Sequence, residues 1–220
     1  MEPDAVELRV VGCLVEKQRT TPDAYPLSLN ALRLACNQST NRDPVVDYDE
    51  ATVVEALRRL AQRGWTRLAS GAGSRARKYR HLLPEALGVD GGELALLAVL
   101  MLRGPQTPGE LKGRSERLHR FEGLPAVQET LERLVEREYV VRHPRRPGQK
   151  EERYEQVLGG GGEDTAPSSP AETEPQEQEE APSAEVPTVA SSEDRLDRIE
   201  RELESLRGEL ASLREALGDG

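Results

Sequence analysis

ELRVVGCL, Glu7 to Leu14, returns as ELALLAVL, Glu93 to Leu100, and what lies around the two strings shows that the echo is a repeat. Thr21-Pro22 is followed by Thr107-Pro108 at the same shift of 86. VVEALRRL (Val53 to Leu60) is followed by VQETLERL (Val127 to Leu134), and Trp65 by Tyr139, at 74; KYRHLL (Lys78 to Leu83) is followed by RYEQVL (Arg153 to Leu158) at 75. Segments that match in the same order define one unit present twice. The fall of 12 from 86 to 74 gives the first copy a longer connection before its third helix, expected in STNRDPVVDYDE, Ser39 to Glu50.

Apolar spacing reads each copy as three helices and a hairpin. Leu8, Val11, Leu14 and Val15 recur at helical intervals; Leu29, Leu32 and Cys36 form a second stripe; Val53, Leu57, Leu60 and Ala61 form a third. After the stop at Gly64, Trp65 to Leu68, a Gly/Ser turn (Ser70 to Ser74) and Lys78 to Leu83 fit strand, loop, strand. The second copy runs through Leu94, Leu97, Leu100 and Met101, then Leu111 to Leu118, then Val127, Leu131, Leu134 and Val135. Its hairpin is Tyr139 to Arg142, HPRRPGQK, and Arg153 to Leu158. The expected fold class is mainly α with small β-hairpins (α+β). It comprises tandem winged helix-turn-helix domains at 1–84 and 85–158, each with its own small hydrophobic centre, a disordered acidic linker at 159–192 and a C-terminal coiled-coil helix at 193–218.

Charge is segregated along the chain. Residues 1–158 hold 25 Lys and Arg against 23 Asp and Glu, whereas residues 159–220 hold 5 against 17, so the net −10 describes the tail. Met1 to Asp4 is acidic with no apolar region behind it, and no run approaches the ~18 residues of a membrane span, so a soluble, cytoplasmic protein is expected. Cys13 and Cys36 stand apart from any CxxC or Cys/His cluster, and His81, His119 and His143 are scattered. Both thiols are therefore expected in the core, with no metal site. No phosphate loop, nucleophile elbow or pair of catalytic acids occurs, so no enzyme activity, catalytic residue, cofactor or small-molecule substrate is expected.

TTPDAYPLSLNALRLACNQ, Thr20 to Gln38, carries a thiol, hydroxyls and amides, yet capping and packing account for them. Thr107-Pro108-Gly109-Glu110 is a helix start with Thr as N-cap, Pro at the first position and Glu reaching back. Thr21-Pro22 is its sequence counterpart, but Pro26 interrupts that turn. The helix should therefore begin at Ser28 and end near Asn37, with Cys36 on its buried stripe.

TTPDAYPLSLNALRLACNQSTNRDPV, the glycine turn GAGSRARKY and RGPQTPGELKGRSERLHRF resemble the YceH family of bacterial proteins over about residues 5–158. The resemblance implies tandem winged-helix domains and supplies no catalytic motif. The chain is expected to depart from the family after Leu158, with the tail as an addition.

From Gly159 to Ser192 there is no lysine or arginine and eight acidic residues, the composition of a disordered linker. Beyond it Leu196, Ile199, Leu203, Leu206, Leu210, Leu213 and Leu217 alternate spacings of three and four, a heptad seam. With Leu196 at a, Arg195 faces Glu200, Glu202 faces Arg207 and Glu209 faces Arg214 across a parallel pair, all opposite in sign, which favours a parallel homodimer. The other reading is a lone amphipathic helix that docks on the domains or on another protein.

In most winged-helix domains the third helix enters the major groove and the wing touches the backbone. Candidate nucleic-acid backbone contacts here are Arg75, Arg77 and Lys78 at the first wing, with Arg67 and Arg80 beside them. Arg114 and Arg117 follow on the second helix of copy two, with Lys112 and Arg120, and Arg142, Arg145, Arg146 and Lys150 surround the second wing. Base reading is disfavoured by Asp47, Asp49, Glu50 and Glu55 in the first copy and by Glu129, Glu132 and Glu136 beside Arg133 and Arg137 in the second. Arg58 and Arg59 are spaced to pair with Glu55, which leaves Arg63 to solvent. Two functions stand at this level. One is a DNA-binding, regulator-like protein that gains avidity through its dimeric tail; the other is an adaptor whose winged helices bind another protein. A tail of this charge would also compete with nucleic acid for the wings.

Overall fold

Each copy begins at a reciprocal cap. Asp4 accepts the Glu7 N–H at 2.8 Å while the Glu7 carboxylate accepts the Asp4 N–H at 3.0 Å, and Asp90 with Glu93 repeats both distances. From these caps run α1 (Ala5–Thr20) and α5 (Gly91–Arg103). The computed structural model describes residues 2–69, 77–145 and 151–159, all in one compact unit, Met1–Pro167; the second unit, Ser168–Gly220, lies outside them.

The second helices are α2 (Leu29–Cys36), whose cap Ser28 accepts the Ala31 N–H at 3.3 Å, and α6 (Pro108–Ser115), whose cap Thr107 forms the expected box with Glu110 at 2.8 and 3.2 Å. The structural counterpart of Thr107 is thus Ser28, whereas Thr21 opens a single 3-10 turn, Pro22–Ala24, without a side-chain cap. The third helices, α3 (Glu50–Gln62) and α7 (Leu124–Glu136), are equal in length and 74 apart, while α2 and α6 are 79 apart. The 12 extra residues of the first copy therefore divide: 7 precede α2 and 5 lie between α2 and α3. The larger share lies outside Ser39 to Glu50. It forms the turn and a short strand, β1 (Leu27–Ser28).

Behind each third helix comes an antiparallel hairpin, β2 (Thr66–Leu68) with β3 (Lys78–His81) and β4 (Val140–His143) with β5 (Arg153–Gln156). β1 adds to the first hairpin through Leu27 opposite Tyr79, giving the order β1-β3-β2. In the second copy Gln106 stands opposite Tyr154 in the same place, as one bridge with exchanged hydrogen bonds of 3.0 and 2.8 Å. β3 stops at His81, short of the expected Leu83, because Pro84 lies at the start of a short helix, α4 (Leu83–Leu87). Gly88, at φ 63, closes α4 in the left-handed conformation and turns the chain toward α5.

Leu57 and Leu131 are buried, as the repeat requires. The two expected centres, however, are one continuous core. The reason is α5, buried from Gly92 through Leu102, a helix apolar on every side that packs on α1 as well as on α6, α7 and β5. α1 meets it closely at Gly12, where a Cβ would lie 3.1 Å from Leu102 Cδ2 and 3.3 Å from Met101 Cβ. The described residues are thus mainly helical, with small antiparallel sheets.

Candidate interaction surfaces

The repeat extends from shape into charge. Arg59 on α3 and Arg63, one turn on at its C-cap, reach the cap of α1: Arg59 meets Asp4 at 2.9 Å and Arg63 meets Glu7 at 3.2 Å. On α7 the equivalent Arg133 meets Asp90 at 3.2 Å and Glu93 at 3.4 Å, and Arg137 meets Glu93 at 3.1 Å. Glu7 and Glu93 are buried carboxylates, so these guanidiniums balance charge that water cannot reach. Arg137 also donates to the Gly88 carbonyl at 3.1 Å and lies 4.9 Å above the Tyr139 ring.

Arg63, expected in solvent, is therefore half-buried and paired with a buried carboxylate. Spacing along one helix could not show this, because the partner comes from α1. The signal was nevertheless present: the shift of 86 carries Asp4 and Glu7 onto Asp90 and Glu93, and the shift of 74 carries Arg59 and Arg63 onto Arg133 and Arg137. The expected local pairs form too, Arg58 with Glu55 at 2.7 Å and Arg59 with Glu55 at 3.0 Å. Hydrogen bonds from Arg58 and then Arg59 hold the Glu55 carboxyl down at about 2.

Outward on α3 stand Glu50, Ala51, Val54, Arg58, Ala61 and Gln62, with Arg58 held by Glu55, and on α7 Leu124, Gln128, Glu129, Glu132, Val135 and Glu136. Val54 is 44% exposed, and Leu34 on α2 and Val45 before α3 are 55% and 59% exposed. Apolar and acidic groups dominate the two third-helix faces.

The cationic candidates lie elsewhere. Arg77, Arg117 and Arg145 are exposed and make no ion pair among the described residues, as do Arg67, Lys112 and Arg120. Lys78 is half-buried on β3. Arg114 pairs with Glu110 at 3.4 Å, and the same carboxylate takes Arg153 at 3.2 Å. Arg142 reaches Glu152 across its hairpin at 3.8 Å, and Arg80 reaches Glu85 at 3.9 Å. Arg75, Arg146 and Lys150 lie outside the described residues, as do the heptad positions Leu196, Ile199, Leu203, Leu206, Leu210, Leu213 and Leu217. No cluster of His, Cys, Asp and Glu suited to a metal occurs among the described residues, and none of their helices is long and apolar enough to cross a membrane.

A surface groove of about 470 Å³ opens at the start of α5 between Asp90, His119, Phe121 and Arg133. A Cβ on Gly92 would lie 3.3 Å from Phe121 Cε1 and 3.5 Å from His119 Nε2. Gly91 and Gly92 thus admit an edge-on pair of rings, centroids 4.7 Å apart, over the helix start.

The family model for a protein of unknown function, DUF480, matches residues 4–149. A UPF0502 protein of Geotalea daltonii is 54% identical over 167 residues, 75% of this chain and 76% of its own length. UPF0502 proteins of Solibacter usitatus and Pelobacter propionicus are 45% and 46% identical and cover 93% and 97% of this chain, and 92% and 94% of their own lengths. Matches of that extent run well past Leu158, so the tail is shared with relatives, which corrects the expectation that it is an addition. The chain belongs to the DUF480 family of UPF0502 proteins, the bacterial family that its YceH-like motifs indicated.

Proposed function

We propose that this is a tandem winged-helix adaptor: the outer faces of α3 and α7 dock on another protein, and the heptad tail pairs two copies in parallel. One observation carries the choice. The helices that would enter a major groove have their arginines bound to carboxylates of their own fold and present Glu50, Glu129, Glu132 and Glu136 outward. Phosphates approaching that surface would meet like charge, and reading of base edges calls for Arg, Lys, Asn and Gln at the centre of the face. Exposed Val54, Leu124 and Val135 among the carboxylates suit a partner that sets basic side chains around an apolar patch.

A photo-cross-linking residue at Gln128 in the full chain tests this reading in cells. It is expected to trap a discrete protein adduct that Glu132→Lys with Glu136→Lys abolishes, while a cross-linker at Arg67 traps none of it. Adducts only at Arg67, or none at Gln128, would overturn the reading.

DNA binding is the second reading, supported by the exposed cations Arg67, Arg77, Arg117 and Arg145, which make no ion pair among the described residues. It would be a grip on phosphates by wings and α6 without base reading. Its affinity would fall steeply with salt and drop when Arg145 and Arg146 are both replaced by Glu.

A further inference from the structure

Between α1 and α2 lies a set of side chains that neither reading uses. Cys13 of α1 and Cys36 of α2 both lie in this seam, fully buried, and the Cys13 thiol reaches the last turn of α2, which carries Cys36. Cys13 Sγ is 3.3 Å from the Ala35 carbonyl oxygen, and Arg42 Nε donates to the same oxygen at 3.0 Å. Arg9 donates to the Cys36 carbonyl at 3.4 Å and to that of Pro44 at 2.6 Å. Two buried guanidiniums therefore flank two thiols. Glu16 answers Arg42 at 2.5 Å, whereas the hydrogen bonds of Arg9 go to carbonyls, so the pocket holds more positive than negative charge.

That imbalance favours a thiolate. Burial opposes ionisation of Cys13, but the hydrogen bond with Cys36 and the Arg42 charge outweigh it, and the thiol falls below its usual range. Cys36 moves the other way, raised by its hydrogen bond with Cys13 and by burial. A thiolate beside a protonated thiol is the arrangement that disulfide formation uses.

We propose that Cys13 and Cys36 are a modification site, a dithiol that a hydroperoxide converts to a disulfide linking α1 to α2. The Cys13 thiolate attacks the O–O bond, takes one oxygen as a sulfenic acid and releases hydroxide. The Cys36 sulfur then displaces the sulfenic hydroxyl, which leaves as water with the Cys36 proton. In sum two thiols are oxidised and one hydrogen peroxide is reduced to two waters. Both sulfurs are shielded, so the reaction waits on local opening of the α1–α2 seam and is slower than that of an exposed thiol. The bridge would fix α2 and its Ala35–Arg42 anchor, and with them the segment that leads into α3.

The reduced, full-length, native protein is treated with hydrogen peroxide, quenched, unfolded, alkylated and digested without reductant. The expected product is the Cys13 peptide joined to the Cys36 peptide, lighter by two hydrogens, with both thiols lost to alkylation together. Arg9→Met is expected to slow the loss several-fold, and Cys13→Ser to leave Cys36 fully alkylatable. Full recovery of both thiols from wild-type protein, or single oxidation to sulfinic acid without a bridge, would overturn the proposal, and the wild-type result decides even where a variant misfolds.

Discussion

The two copies share a skeleton and differ in their connections. In each, a capping box starts the first helix, an arginine pair on the third helix holds it, and the second helix closes on a small buried residue, Cys36 or Ser115. The first copy then spends its extra residues on a third strand and on a loop that Arg42 and Arg9 hold by their guanidiniums. The second copy makes the same turns with a single bridge and shorter loops. Positions that recur at constant shift are those that hold the fold, and the connections are where the copies are free to diverge.

The comparison breaks most easily in the core. Leu57→Ala and Leu131→Ala are each expected to cost about 2–5 kcal/mol, measured by denaturant unfolding. Because one core joins the copies, both variants should unfold in a single transition; two separable transitions would contradict a shared core.

A pH test contrasts His81 with its counterpart at a shift of 75, Gln156. Buried His81 presents Nε2 to Gln18 Oε1 at 2.7 Å and accepts the Leu83 N–H on Nδ1 at 3.4 Å, a neutral imidazole that burial holds down at about 4. The folded value is depressed, so between about pH 6.5 and 4 the unfolded chain binds the extra proton and stability falls as pH falls, by about 2–3 kcal/mol. His81→Gln should remove that slope; an unchanged slope would assign it to other groups.

Smaller effects sharpen the match between copies. Arg63→Met and Arg137→Met should each cost about 2 kcal/mol, less than the 3–5 of a fully buried pair because both guanidiniums keep some solvent. Unequal losses would show that the ion pairs are not equivalent. Gly12→Ala, where Leu102 and Met101 must give by a few tenths of an ångström, should cost about 1 kcal/mol, read as a lowered Tm.

Much of this was legible because it is local. Ser28, Thr107 and Glu110 announce their caps within four residues, and the heptad-like stripes place Leu57 and Leu131 inward. What stayed hidden needed two elements at once. Arg63 pairs with Glu7 only because α3 crosses the start of α1, and Arg42 enters the core only because its loop folds back beneath α2. The unbroken apolar run from Leu94 to Leu102 did carry the sign that α5 is covered on all sides, and reading it as a one-sided stripe is what divided the core in two.

The account's central claim is that the arginines of α3 and α7 serve the fold, which leaves faces that repel nucleic acid. Fluorescence anisotropy of a labelled duplex at about 50 mM salt tests it, comparing the full chain with Glu132→Lys/Glu136→Lys. The account predicts weak binding by the wild type and a clear gain on charge reversal. Tight wild-type binding that the α7 reversal leaves unchanged and that Arg145→Glu with Arg146→Glu abolishes would contradict it.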